Sequence, residues 1–282
     1  MNLNTNILNT SAADAFKAAI VADIEKDFII NSSNSASLAR MAWILYPTQD
    51  EYSKTQIRAA IVFSKFLRFN TLIVGPSGTG KELLARILSH GSQLRSLNMA
   101  GLTDTLFEST MFGYAPGSFT GALAKGSTGF LRSVEGGIAF LDEIGELPLS
   151  QQAKLLRVIQ DKEVMPVGAF HGVPIKCRFI FATNRDLLSM VKAGTFREDL
   201  YFRISQLTLQ TRSLKQRGQD EVDFLTDWLL KDNAWQPRTD DEYVPLEWLE
   251  LGNVRALFNI LLQRELDVIK LPTKLSTNHE NM

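Results

Sequence analysis

Apolar residues change their spacing several times along this chain, and each change marks an element. In SKTQIRAAIVFSKFLRF, residues 53–69, apolar positions such as 57, 60 and 61 lie three or four apart, the repeat of an amphipathic helix. The helical pattern extends back to about Ala13. A different text follows, NTLIVGPSGTGKELLARILSHG: a short apolar run, a glycine-rich turn, then helical spacing, which reads as strand, loop and helix. Two further apolar runs, GIAFLDE at 137–143 and CRFIFATN at 177–184, end in polar residues. The stretch LSQQAKLLRVIQDKE between them has helical spacing. Uninterrupted apolar strands alternating with helices predict a parallel sheet covered on both faces. After about Arg212 the strands stop, and DEVDFLTDWLLKD and VRALFNILLQRELDVIK predict a small helical lid. The expected organisation is an N-terminal extension over 1–40, partly disordered, an α/β domain over 41–212, a helical lid over 213–270 and a tail over 271–282.

Composition narrows this picture. The 282 residues are 45% hydrophobic, enough for a sizeable core, and no run approaches a membrane span. The N-terminus lacks the basic region and apolar run of a signal peptide. A single cysteine, Cys177, excludes an internal disulfide framework and fits a reducing, cytoplasmic setting. Three scattered histidines argue against a Cys/His metal site. Lys plus Arg is 30 against 31 for Asp plus Glu, so the basic excess common in nucleic-acid readers is missing.

Chemistry enters with Gly75-Pro76-Ser77-Gly78-Thr79-Gly80-Lys81, which fits the phosphate-binding pattern G-x-x-x-x-G-K. Glycines let the backbone curl so that several N–H groups face anionic oxygens, the helix N-terminus adds its dipole, and Lys81 adds a point charge. Glu82 stands where the general motif has a metal-ligating hydroxyl. Bound Mg²⁺ must therefore lean on Asp142, phosphate oxygens and water. Asp142 and Glu143 close the run AFLDE, Asp142 to organise the metal and Glu143 to polarise an attacking water; the plainer reading is a solvated turn. Asn184, ending FATN, is placed to sense a γ-phosphate, or simply closes a strand. FGYAPGSFTGALAKGSTGF, residues 112–130, sets aromatic rings among glycines that forbid a regular element. Such a loop either folds back on the body or presents its rings to another molecule.

Several segments together, in order and at the expected spacing, resemble the AAA+ domain of bacterial enhancer-binding proteins, the ATPases that activate RNA polymerase carrying sigma-54. They are GPSGTGKELLAR, ESTMFGYAPGSFTGA, GGIAFLDEIGELPLSQQAKLLRVIQ, FATNRDL, FREDLYFRI and GNVRAL. The resemblance runs from about Leu72 to Arg217 and resumes at Gly252. It implies a P-loop domain with a parallel sheet flanked by helices and an α-helical lid. It also implies ATP with Mg²⁺ as cofactor and a homo-oligomeric, hexameric ring. Gly117, Ser118, Phe119, Thr120, Gly121 and Ala122 are similar to the family's GAFTGA signature, with Ser118 for alanine; that loop touches sigma-54 in the family.

By the same resemblance, Arg197 and Arg203 match an arginine-finger pair that reaches the neighbouring subunit's ATP. Six residues on one straight helix turn through about 600°, so the two should face different directions. The competing reading pairs them on the surface with Glu198 and Asp199. Arg255 corresponds to the lid arginine that closes on nucleotide. Asn98 corresponds to the asparagine that restrains the catalytic glutamate. Three departures stand out: Arg132 replaces an acidic residue, Tyr114-Ala115-Pro116 replaces charged residues, and LEWLELGNVR lacks a Trp-Pro approach to the lid. No recognisable DNA reader follows Arg255. Two functions are expected on this basis: an ATP-driven remodeller that turns a closed sigma-54 polymerase complex into an open one, or an ATP-binding subunit that modulates another activator's ring.

Overall fold

The computed structural model describes residues 42, 45–66, 69–120, 123–233, 244–250 and 252–268. The expected extension over 1–40 and tail over 271–282 lie outside the described residues. Asp50 opens the first helix, α1 (Glu51–Phe63), its carboxylate accepting from the Ser53 N–H. Ile57, Ala60 and Ile61 form its buried stripe.

Strands and helices then alternate, with β1, α2, β3 and α5 where the spacing predicted them: β1 (Thr71–Val74), α2 (Lys81–Ser89), β2 (Leu94–Asn98), α3 (Asp104–Phe112), α4 (Phe130–Ser133), β3 (Ile138–Asp142), α5 (Leu149–Asp161). A small antiparallel pair follows, β4 (Glu163–Val164) with β5 (Val173–Pro174). Next come β6 (Arg178–Thr183), α6 (Leu187–Lys192), α7 (Glu198–Ile204) and β7 (Leu207–Gln210).

Five strands form one parallel sheet in the order β2-β3-β6-β1-β7. Alternate residues of β6 serve opposite faces: Phe179 and Phe181 pack with α5 and α7, while Ile180 and Ala182 join Ile57, Ile61, Leu84 and Leu88 of α1 and α2. Both layers are buried, which is why β3 and β6 read as unbroken apolar runs. Two strands were invisible to that reading. Edge strand β2 carries only Leu94 and Leu97 as apolar residues, and β7 buries only Leu209 fully.

Beyond β7 the chain is helical: α8 (Leu214–Arg217), α9 (Gln219–Asp232), a short 3-10 turn (Leu246–Leu249) and α10 (Asn253–Val268). These pack their own core from Leu214, Val222, Leu225, Leu257 and Leu261, among others. The parallel sheet flanked by helices, with this helical appendage, is the AAA+ architecture. No helix among the described residues is long and apolar enough to cross a membrane.

Candidate functional site

A cavity of about 540 Å³ opens where β1 and β3 end and the appended helices lean over. In a parallel sheet this is the expected place for a ligand, at the carboxyl ends of the strands. One side is the glycine-rich turn. Gly78 and Gly80 adopt φ of +73° and +95°, the left-handed region that favours glycine. Gly80 is the N-cap of α2 and offers no side-chain cap, so the first N–H groups of that helix stay open to a ligand. Thr79 anchors the turn by donating to Pro76 O at 2.7 Å and bonding Thr211 Oγ1 at 2.6 Å.

Lys81 lines the cavity, with Nζ on the carbonyls of Gly75 (3.0 Å) and Pro76 (3.1 Å). Burial holds its ammonium below the ordinary lysine range, against the opposing pull of Glu143 and Asp142. Ser77, Gly78, Thr79, Gly80 and Glu82 also line the cavity; Gly75 and Pro76 serve as backbone supports behind it. Glu82 is paired with Arg86 one turn on at 2.8 Å.

The acids arrive on β3. Asp142 sits beside Asn98 across the β2–β3 ladder, and both face the cavity with Glu143. Glu143 has φ +54° and ψ +46°, a left-handed backbone costing a non-glycine residue about 1–3 kcal/mol. Asp142 Oδ1 accepts the Glu143 N–H at 2.9 Å, fixing the reversal. The Glu143 carboxylate meets the Asn184 backbone N–H at 3.4 Å. Asn184 thus contributes its main chain to Glu143, and its side chain does not line the cavity. The Asn98 amide oxygen accepts from Ala100 N at 2.9 Å, capping a short turn, and makes no bond to Glu143.

No group of three or more His, Cys, Asp or Glu that could cage a metal exists among the described residues. Mg²⁺, however, is ordinarily held by one or two carboxylates together with substrate phosphates. Asp142 in a cavity with an open helix N-terminus fits that mode. Thr79 does not add a ligand, because its hydroxyl is bonded to Pro76 and Thr211.

The arginines divide. Exposed Arg255 lines the cavity from α10. Arg197 and Arg203 do not line it. Nor do they share one helix: α7 begins at Glu198 with Arg197 as its extended N-cap, so the helical rotation does not apply. Arg197 forms a two-point pair with Asp199 (3.0 and 2.7 Å), and Arg203 is exposed.

Asn253, beside the cavity, and Arg217, in its lining, are among the residues not singled out from the sequence. Asn253 has φ +50°, accepts from Leu214 N at 2.8 Å and donates to Ser77 O at 2.9 Å, tying the appended helices to the glycine-rich turn. Arg217 is buried beside Glu221, with side-chain exposures of 1% and 2%. Removing one partner of such a pair costs about 3–5 kcal/mol. The signal for Asn253 was present in GNVR but pointed past it to Arg255; Arg217 sat in an ordinary-looking basic stretch.

The aromatic loop stands away from this cavity. Its stem is zipped by Tyr114 to Ser127 (3.0 and 2.9 Å) and to the β4–β5 connection, Ala115 N to Val167 O and Val167 N to Gly113 O, each 2.9 Å. Phe119 leans edge-on against Tyr114, ring centres 5.0 Å apart, yet remains 46% exposed. Gly117 and Thr120 are exposed, and the Ser118 hydroxyl is buried without a partner. Gly121 and Ala122 lie outside the described residues. Arg132 donates to the carbonyls of Thr128 (2.7 Å) and Ser127 (3.2 Å), so the departure at this position clamps the stem.

A glycine-rich turn, a strand-end acid pair and a helical appendage carrying Arg255 over one cavity define an AAA+ protein. Residues 48–210 match the sigma-54 interaction domain, and the chain belongs to that family. It is 44% identical over 156 residues to the sigma-54-dependent transcriptional activator SfnR of Pseudomonas putida, covering 54% of this chain and 42% of that one. It is 39% identical over 203 residues to the regulatory protein AtoC of Escherichia coli, covering 68% and 44%. Among solved structures it resembles NtrX of Brucella abortus in complex with ADP, with a TM-score of 0.62 and 31% identity over 74% of this chain and 47% of that one. The chain therefore spans under half the length of these relatives.

Proposed function

We propose that this chain is an ATP-hydrolysing activator that remodels a closed sigma-54 RNA polymerase complex into an open one. The observation that carries the reading is the coexistence of a cavity lined by the glycine-rich turn, Lys81, Asp142 and Glu143 with an exposed, aromatic-tipped loop on a separate stem. In this reading the N–H groups of the 75–81 turn, the α2 N-terminus and Lys81 hold the phosphates of ATP. Asp142 holds Mg²⁺, which neutralises phosphate charge when bound. Glu143 orients water, its carboxylate positioned by the Asn184 N–H. Arg255 closes from the lid. Arg197 and Arg203, remote from their own cavity, serve the ATP of a neighbour in a hexameric ring. Arginine suits that task because its charge is permanent and its fork matches phosphate oxygens. Phe119 and Thr120 meet sigma-54.

Two variants separate the halves of this mechanism. Glu143→Ala should bind ATP and lose turnover by about a hundredfold or more, on the scale of a lost general base. Thr120→Ala should hydrolyse ATP normally yet fail to retain sigma-54 in a pull-down with a transition-state mimic of ATP. Native turnover in the first, or native retention in the second, overturns the corresponding assignment.

Arg132, committed to the loop stem, supports a second reading: an ATP-binding subunit that modulates another activator's ring. Protein that is inert alone yet alters an activator's rate would favour it.

A further inference from the structure

The strap that precedes α1, residues 45–50, forms part of the cavity, and no motif drew attention to it. Leu45, Tyr46 and Pro47 line the space opposite Trp228 and Phe258. Tyr46 is 4% exposed. Its hydroxyl donates to the Thr79 carbonyl at 2.7 Å and accepts from Arg217 Nη2 at 2.6 Å. The same Nη2 reaches Thr79 O at 3.1 Å. The ring covers Gly80, where an added Cβ would come within 2.6 Å of Tyr46 Cε2. Two consecutive residues of the phosphate-binding turn, Thr79 and Gly80, therefore rest on one phenol.

Arg217 is fixed in turn. Its Nε donates to Arg212 O at 3.1 Å, and Nη1 faces Glu221 at 3.5 Å. Glu221 then grips the strap, accepting from Thr48 Oγ1 (2.5 Å), Gln49 N (2.7 Å) and Asp50 N (3.1 Å). The circuit runs from turn to strap to appended helices and back.

We infer that Tyr46 is a positioning residue for nucleotide, holding the 79–80 peptide so that its N–H groups face the phosphates, with Arg217 and Glu221 locking it there. Removing the hydroxyl leaves a buried guanidinium and a carbonyl short of a partner without removing the ring. Binding of ATP, more than the chemical step, depends on this contact. The loss should be about tenfold in affinity, the weight of a hydrogen bond to a charged group.

The inference rests on the nucleotide-binding reading proposed above, and the test separates the two. ATP affinity and steady-state ATPase kinetics would be measured on the whole chain for native protein, Tyr46→Phe, Tyr46→Leu and Tyr52→Phe. Tyr52 is a control tyrosine whose hydroxyl meets Gln210 outside the cavity. Expected are a KM and a dissociation constant raised about tenfold in Tyr46→Phe with kcat within twofold, a larger loss in Tyr46→Leu, and native affinity in Tyr52→Phe. Native affinity in Tyr46→Phe, or a fall confined to kcat, overturns the inference. Failure of native protein itself to bind ATP overturns the underlying reading instead.

Discussion

At the scale of single residues, Cys177 shows how burial sets chemistry. It lies just before β6, 7% exposed, and burial raises its thiol to about 11 from an ordinary 9.0, with only partial relief from Lys162. Thiolate, the reactive form, is thus scarcer in the folded chain by about a hundredfold at any pH below 9. Alkylation by iodoacetamide at pH 8 should be at least that much slower in folded than in urea-unfolded protein; comparable rates would refute the burial. The sign for stability follows. A raised folded-state value stabilises the fold fully below pH 9, and that contribution disappears as pH climbs from about 9 to 11. The apolar run CRFIF around Cys177 by itself favours a small buried thiol over a reactive one. The sequence placed Lys81, Asp142 and Glu143 by motif. The left-handed backbone of Glu143 could not be read, because nothing in the letters LDEIG demands a positive φ at a glutamate.

Between elements, the glycine-rich turn meets α10 backbone to backbone beside the cavity. Val254 N donates to Gly78 O at 3.2 Å, and Asn253 reaches Ser77 O. A Cβ on Gly78 would stand 2.0 Å from Gly252 O, at a φ of +73° that side chains avoid. Backbone cannot yield as a side chain can. Gly78→Ala should therefore weaken nucleotide binding by more than tenfold, about 1.4 kcal/mol, while circular dichroism stays native. Gly101→Ala, with open space around it, should bind normally. Equal affinities for the two variants would deny the contact its role. At this scale the sequence was legible where burial is two-sided, as in β3 and β6, and silent where it is one-sided or marginal, as in β2 and β7. The Tyr46–Arg217–Glu221 circuit was silent for another reason: Tyr46 lies more than a hundred positions from Arg217 and Glu221, and no pattern links them.

For the molecule as a whole, Arg197 and Arg203 stand apart from the cavity of their own chain. On the proposed reading they complete a neighbour's site, so turnover per chain should rise with protein concentration until rings saturate. Arg203→Ala should lower turnover by about 10³-fold or more, the scale of a finger arginine. A specific activity that does not vary with concentration, from an undiluted stock down to nanomolar protein, would argue for self-sufficient protomers.

The strand order carries one more consequence, this time for biosynthesis. Interior strand β1 finds both its neighbours far downstream, Thr71 against Ile180 and against Leu207. During translation the apolar TLIV segment must wait, unpaired, until the chain through Gln210 has left the ribosome. At about 5–20 residues per second that is an interval of several seconds or more, long enough for chaperones to matter. Pairings this distant also belong to slowly folding topologies. The strand that leads into the glycine-rich turn is thus made well before the strands that frame it.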